Sequence, residues 1–130
     1  MSSPFGEIMK RAVESTPDAV GGAFADPTGE MVDCFAKGFE GHDWAILTAH
    51  YGVILAHLHA AFGIWHFGGP EYFVAQHQRL GIVVQALDGG YFALLAVDRE
   101  KHTARDDVDF ASGALASLRD AARDLHREMA

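Results

Sequence analysis

"FVAQHQRLGIVVQALDGGYFALLAVD" runs from Phe73 to Asp98, and its reading decides the fold class. Tyr72, Val74 and Gln76 alternate with Phe73, Ala75 and His77, a period of two that predicts a strand over 71–79. Leu80 to Leu87 is rich in β-branched residues and predicts a second strand. Asp88-Gly89 is a strong hairpin signal. Tyr91 to Asp98 is nearly continuously apolar, which predicts a strand covered on both faces and therefore central. Strands joined by such short turns run antiparallel.

Working outward, a second hairpin precedes this meander. Ala19 to Ala25 is small and apolar, and Glu30 to Ala36 alternates. Between them, Asp26-Pro27-Thr28-Gly29 has Asp first, Pro second and Gly fourth, the signature of a type I turn. A short first helix starts at the Ser3 cap and Pro4, repeats Phe5, Ile8, Met9, Ala12 and Val13 at helical spacing, and stops at Thr16-Pro17. Lys37 to Asp43 reads as a loop. The last helix takes Asp106 as its cap and carries the stripe Ala111, Leu115, Leu118, Ala122, Leu125 and Met129. The order α-β-β-α-β-β-β-α predicts one α+β domain over 1–130: a mostly antiparallel five-stranded sheet with helices packed on it.

The central helix, from Trp44 to about Trp65, is apolar almost all round and carries His50, His57, His59 and His66. A membrane span is disfavoured. The histidines interrupt the run, and Lys and Arg are absent from Gly38 to Gln78, where a span would carry basic flanks. The net charge of −8 argues against nucleic-acid binding, which needs clustered Lys and Arg. A single cysteine, Cys34, and no leader sequence predict a reducing cytoplasm.

At this point the chain resembles the roadblock / dynein light chain domain family. "AVGGAFADPTGEMVDCFA" (19–36) is similar to that family's first hairpin, and "DGGYFALLAV" (88–97) to its final turn and strand. The long helix between them stands where the family has one. The segment "REKHTARDDVDF" (99–110) departs from it, being longer and more charged. The resemblance implies a roadblock, profilin-like fold, a homodimer or heterodimer whose central helices pair and whose sheets join edge to edge, and a non-catalytic scaffold or regulator of a small Ras-like GTPase. It implies no cofactor.

The central helix is consistent with the dimer that the resemblance implies. At about 100° per residue, Trp44, Leu47, Tyr51, Leu55, Leu58, Phe62 and Trp65 fall on a bulky side, suited to a sheet. Ile46, Ala49, Val53, Ala56, Ala60 and Ile64 fall on a side suited to a second helix. His50 and His57 occupy one stripe between these faces. Thr48, Gly52, His59 and His66 occupy the other. A helix apolar all round is buried, so the second face needs a cover: a second copy, or the first or last helix. The expected dimer interface is Ile46, Ala49, Val53, Ala56, His57, Ala60, Ile64, Tyr72 and Val74.

The histidines, seven positions apart in each stripe, are about 10.5 Å apart along the axis, too far to share one ion. They read as hydrogen-bonded residues at the edge of an interface. The alternative reading is a ligand- or metal-responsive sensor using the His-rich helix. No catalytic set is legible. Cys34 reads as structural, and Ser112 lacks a nucleophile elbow. "GFEGHD" (38–43) lacks the Lys-Ser/Thr of a phosphate loop. Asp106, Asp107 and Asp109 lack the spacing of a calcium loop. If an arginine assists GTP hydrolysis, Arg79, Arg99 and Arg105 are the non-helical candidates.

Overall fold

The computed structural model describes residues 3–37, 41–63, 66–100 and 107–130. Helix α1 spans Pro4–Glu14, followed by strands β1 (Ala19–Ala25) and β2 (Met31–Ala36) and helix α2 (Gly41–Phe62). Strands β3 (Tyr72–Gln76), β4 (Leu80–Ala86) and β5 (Phe92–Asp98) follow, then helix α3 (Asp107–Met129). The five strands form one sheet in the order β2-β1-β5-β4-β3, antiparallel at every pairing. The continuously apolar β5 is central, as its composition requires.

Local chemistry sets the element ends. The Ser3 hydroxyl accepts from the Gly6 amide and caps α1, and Pro4 opens it. In the β1–β2 turn, Asp26 Oδ1 accepts from the amides of Thr28 (2.9 Å) and Glu30 (3.1 Å). The Gly29 amide closes the turn on the Asp26 carbonyl at 2.9 Å. Gly89 and Gly90 both take positive φ in the β4–β5 turn, where a side chain would be strained. Helix α2 begins three residues before the expected Trp44, because Gly41-His42-Asp43 already turns helically, with Asp43 favourably placed in the first turn. Strand β3 is shorter than the expected 71–79: pairing with β4 ends at Gln76–Gly81, and residues 77–79 make the turn. The capping role given to Asp106 lies outside the described residues.

The sheet separates two cores. On one face, α1 and α3 pack Met9, Val13, Leu118 and Leu125 over Phe24, Val83 and Leu95. On the other face α2 alone packs Trp44, Tyr51 and Leu55 over Ile82, Val84, Phe92 and Leu94. This disposes of the expectation that the first or last helix covers the second face of α2, since both lie across the sheet from it.

The side that α2 turns to the sheet is rotated from the expected bulky one. Thr48 is fully buried, and Gly52 approaches so closely that an added Cβ would lie 2.9 Å from Gly29 Cα. Leu47 and Leu58 are only half-buried, and Phe62 is 45 % exposed, while Trp65 lies outside the described residues. The reason is the hairpin turn at Gly29, which meets α2 at Ala49 and Gly52 and so fixes the helix's roll.

Thr48 Oγ1 is buried without a hydrogen-bond partner among the described residues. Burying a hydroxyl unpaired costs about 1–3 kcal/mol, and Val has a similar shape and helix propensity. Thr48→Val is therefore expected to stabilise the chain by about 1 kcal/mol in urea unfolding. A loss of stability would mean that the hydroxyl has a partner in solution.

Candidate interaction surface

With one side of α2 on the sheet, the rest of the helix faces outward. Ile46 is 44 % exposed, Val53 56 % and Ile54 43 %, and Ala49, His50, Ala56, His57, Ala60 and Ala61 are exposed with them. Among the described residues of α2 after Asp43 there is no Asp, Glu, Lys or Arg. Exposed apolar faces of this extent are where proteins commonly dock partners, which makes this one the candidate surface. Gly41–Phe62 is also long and apolar enough to cross a membrane by length and composition.

The expected interface residues divide between two places. Ile46, Ala49, Val53, Ala56, His57 and Ala60 lie together on this outer face, and Ile64 lies outside the described residues. Tyr72 and Val74 are on the edge strand β3, 41 % and 40 % exposed, but their side chains project from the opposite side of the sheet. Val74 pairs with Val83, which belongs to the α1/α3 core, and the Arg119 guanidinium carbon of α3 lies 6.0 Å from the Tyr72 ring centre. Phe73 and Ala75 are the β3 residues on the α2 side. The structure thus separates Tyr72 and Val74 from the α2 patch by the thickness of the sheet.

The histidines differ from one another. His59 is half-buried, with Nε2 3.3 Å from the Pro70 carbonyl, and His66 is exposed. His50 and His57 stand near the middle of the exposed face, not at its edge. His50 Nδ1 lies 2.8 Å from the Ile46 carbonyl. A further histidine, His77, pairs with the Tyr51 hydroxyl, whose pKa burial pushes up. That contact was not legible in the sequence, because it joins residues far apart in the chain. Two adjoining clefts of about 540 and 260 Å³ share His59 near the C-terminal end of α2.

The remaining candidates take simple places. Cys34 is half-buried in β2, and burial, then the neighbouring Asp33 charge, raises its pKa. That keeps it a thiol, opposite to what a nucleophile needs. Arg79 lies 3.7 Å from Glu100, both well exposed. Arg99 donates to the His77 carbonyl at 2.7 Å and so braces the β3–β4 turn. Arg105 and the side chains of Asp106, Asp107 and Asp109 lie outside the described residues. Among the described residues, no group of three or more His, Cys, Asp or Glu within one chain is placed to hold a metal ion.

A three-layer domain with two helices on one side of an antiparallel sheet and one half-open helix on the other is a recognisable class. No protein-family model and no curated protein sequence matches the chain. Solved structures do. Myxococcus xanthus MglB superposes with a TM-score of 0.78 at 10 % identity, over 99 % of this chain and 92 % of that one. An MglB with a tetrameric arrangement gives 0.73 at 14 %, over 98 % and 93 %. A Roadblock/LC7 domain from Streptomyces avermitilis gives 0.68 at 14 %, over 92 % and 96 %. The fold of this chain is the roadblock/LC7 fold.

Proposed function

We propose that this chain is a dimeric, non-catalytic regulatory module that works in the cytoplasm by binding a small Ras-like GTPase. The observation that carries the reading is the outer face of α2. It is apolar, uncharged and open, and neither other helix of the chain lies on that side of the sheet. A second copy covers such a face with the same residues from both chains. Protein fits this face better than lipid, because His50 and His57 stand in its middle. MglB in a tetrameric arrangement supports self-association for this fold. The acidic chain suits a protein partner and not nucleic acid.

In this reading the GTPase supplies its own nucleotide site, and the dimer supplies a symmetric platform that biases its conformation. The test is capture of a Ras-like GTPase, first one encoded beside this chain, loaded with GDP or a non-hydrolysable GTP analogue. Capture at least ten-fold stronger in one nucleotide state is expected. Equal capture of both states, or none, removes the GTPase from the proposal and leaves the dimer standing.

A further inference from the structure

We infer that the α2 seam holds a transition-metal ion between two copies of the chain, ligated by His50 of one protomer and the partner's His57. The inference rests on the dimer proposed above and adds a ligand to it.

The first observation is the spacing of the exposed residues. Ile46, His50, Val53, Ile54, His57 and Ala61 are all exposed and share one sector of α2, roughly 100° wide at about 100° per residue. Their positions are symmetric about the point between Val53 and Ile54, with Ala49, Ala56 and Ala60 exposed beside this sector and outside it. Val53 mirrors Ile54, His50 mirrors His57, and Ile46 mirrors Ala61. A two-fold axis through that point, perpendicular to the helix, lays each residue on its mirror mate in an antiparallel pair. Self-complementarity of this kind is what an isologous contact needs. Antiparallel helices also place opposite dipole ends together. His50 then lies opposite the partner's His57, and this occurs twice. The rise of about 10.5 Å that stops His50 and His57 of one chain from sharing an ion becomes the separation between two equivalent sites.

The second observation is the His50 hydrogen bond. A carbonyl only accepts, so the 2.8 Å contact to Ile46 puts the proton on Nδ1. Nε2 is left with its lone pair, on a ring whose orientation the backbone holds. Metal-bound histidines are prepared in this way, the second ring nitrogen donating to a carbonyl or carboxylate. Imidazole suits zinc, nickel or copper over magnesium or calcium. With no carboxylate or ammonium among the described residues of α2 after Asp43, no carboxylate supplies a hard oxygen ligand and no cation repels the metal. Two imidazoles leave the other positions to water, so the site links two chains without depending on a closed ligand set.

The test uses zinc as the probe, with light scattering and equilibrium dialysis on the full chain. In chelator a dimer is expected at micromolar chain. At free zinc ten times the site's dissociation constant, each site multiplies dimer affinity about 11-fold and two sites about 120-fold. One zinc per chain is expected. H50A and H57A are each expected to lose the zinc response and stay folded, since both positions are exposed. Mixing the two variants restores one intact site per heterodimer, and with it half the zinc. A dimer in chelator that zinc does not tighten overturns the metal site alone. A monomer under both conditions overturns the dimer reading beneath it. Half the zinc retained by each single variant, with none gained on mixing, would put like histidines face to face and overturn the antiparallel site. Zinc retained by the H50A/H57A double variant would place the metal elsewhere.

Discussion

Val53→Glu is expected to leave the chain folded and abolish its self-association. Val53 is 56 % exposed, the most open of the large apolar residues on α2, and belongs to neither core. A surface substitution of this kind changes monomer stability by no more than about 0.5 kcal/mol. In the dimer the same position lies beside the two-fold axis, so in chelator each chain brings a carboxylate to a seam with no Lys or Arg among the described residues of α2. Burying an unpaired charge costs about 3–5 kcal/mol, and the two like charges lie diagonally across the axis from each other. The dimer dissociation constant should rise at least about 1000-fold, equivalent to about 4 kcal/mol. Sedimentation velocity reads the loss, and circular dichroism and the thermal midpoint read the intact fold. Val74→Glu on β3 serves as the partner experiment. It weakens the dimer only if the sheets also join at that edge. A V53E chain that dimerises like the unaltered one would show that α2 is not the seam.

The sheet was legible because its signals are local. The period of two in β3, the glycine-bearing turns and the doubly covered β5 each follow from a few adjacent residues, and so does the Ser3-Pro4 start of α1. The orientation of α2 was not legible, for a physical reason. Periodicity orients a helix only by contrast between its faces, and a helix apolar on nearly every side offers little. Thr48 and Gly52 looked like a neutral stripe. They lie against the sheet because the turn at Gly29 reaches α2 there, a contact between segments far apart in sequence. His50 and His57 moved to the middle of the open face by the same rotation. Alternation likewise assigned Tyr72 and Val74 to one side of β3 without saying which. Only the register, Val74 opposite Val83, places them over the α1/α3 core.

The largest loss of stability should come from the smallest change, Gly21→Ala. Gly21 and Gly22 are adjacent in β1, and glycine inside a strand leaves no side chain to pack. In the structure Gly21 lies under Trp44 of one core and Gly22 under Met9 and Leu95 of the other. A Cβ at Gly21 would lie 2.0 Å from Trp44 Cζ2 and 2.7 Å from Cε2 and Cη2. Carbon atoms rest at about 3.5–4.0 Å, and Trp44, 1 % exposed, is a rigid ring with little room to move. Overpacking typically costs about 1–3 kcal/mol. A contact this short with an indole belongs at the top of that range, even after the smaller gain from stiffening the unfolded chain. A loss of about 3 kcal/mol should lower the thermal midpoint by about 10 °C. Gly22→Ala, next in sequence, faces the other core. Its Cβ would meet Leu95 Cδ2 and Met9 Cε at 3.0 Å, ends of flexible side chains, so it should cost distinctly less. Trp44→Leu alone should cost a few kcal/mol through the cavity it leaves. Combined with Gly21→Ala it should cost less than the sum, because the new methyl enters space the indole vacated, with a coupling of at least about 1 kcal/mol. Additive losses would mean that Gly21 and Trp44 do not touch, and that α2 is held on the sheet by Tyr51 and Leu55 without the indole seated on β1.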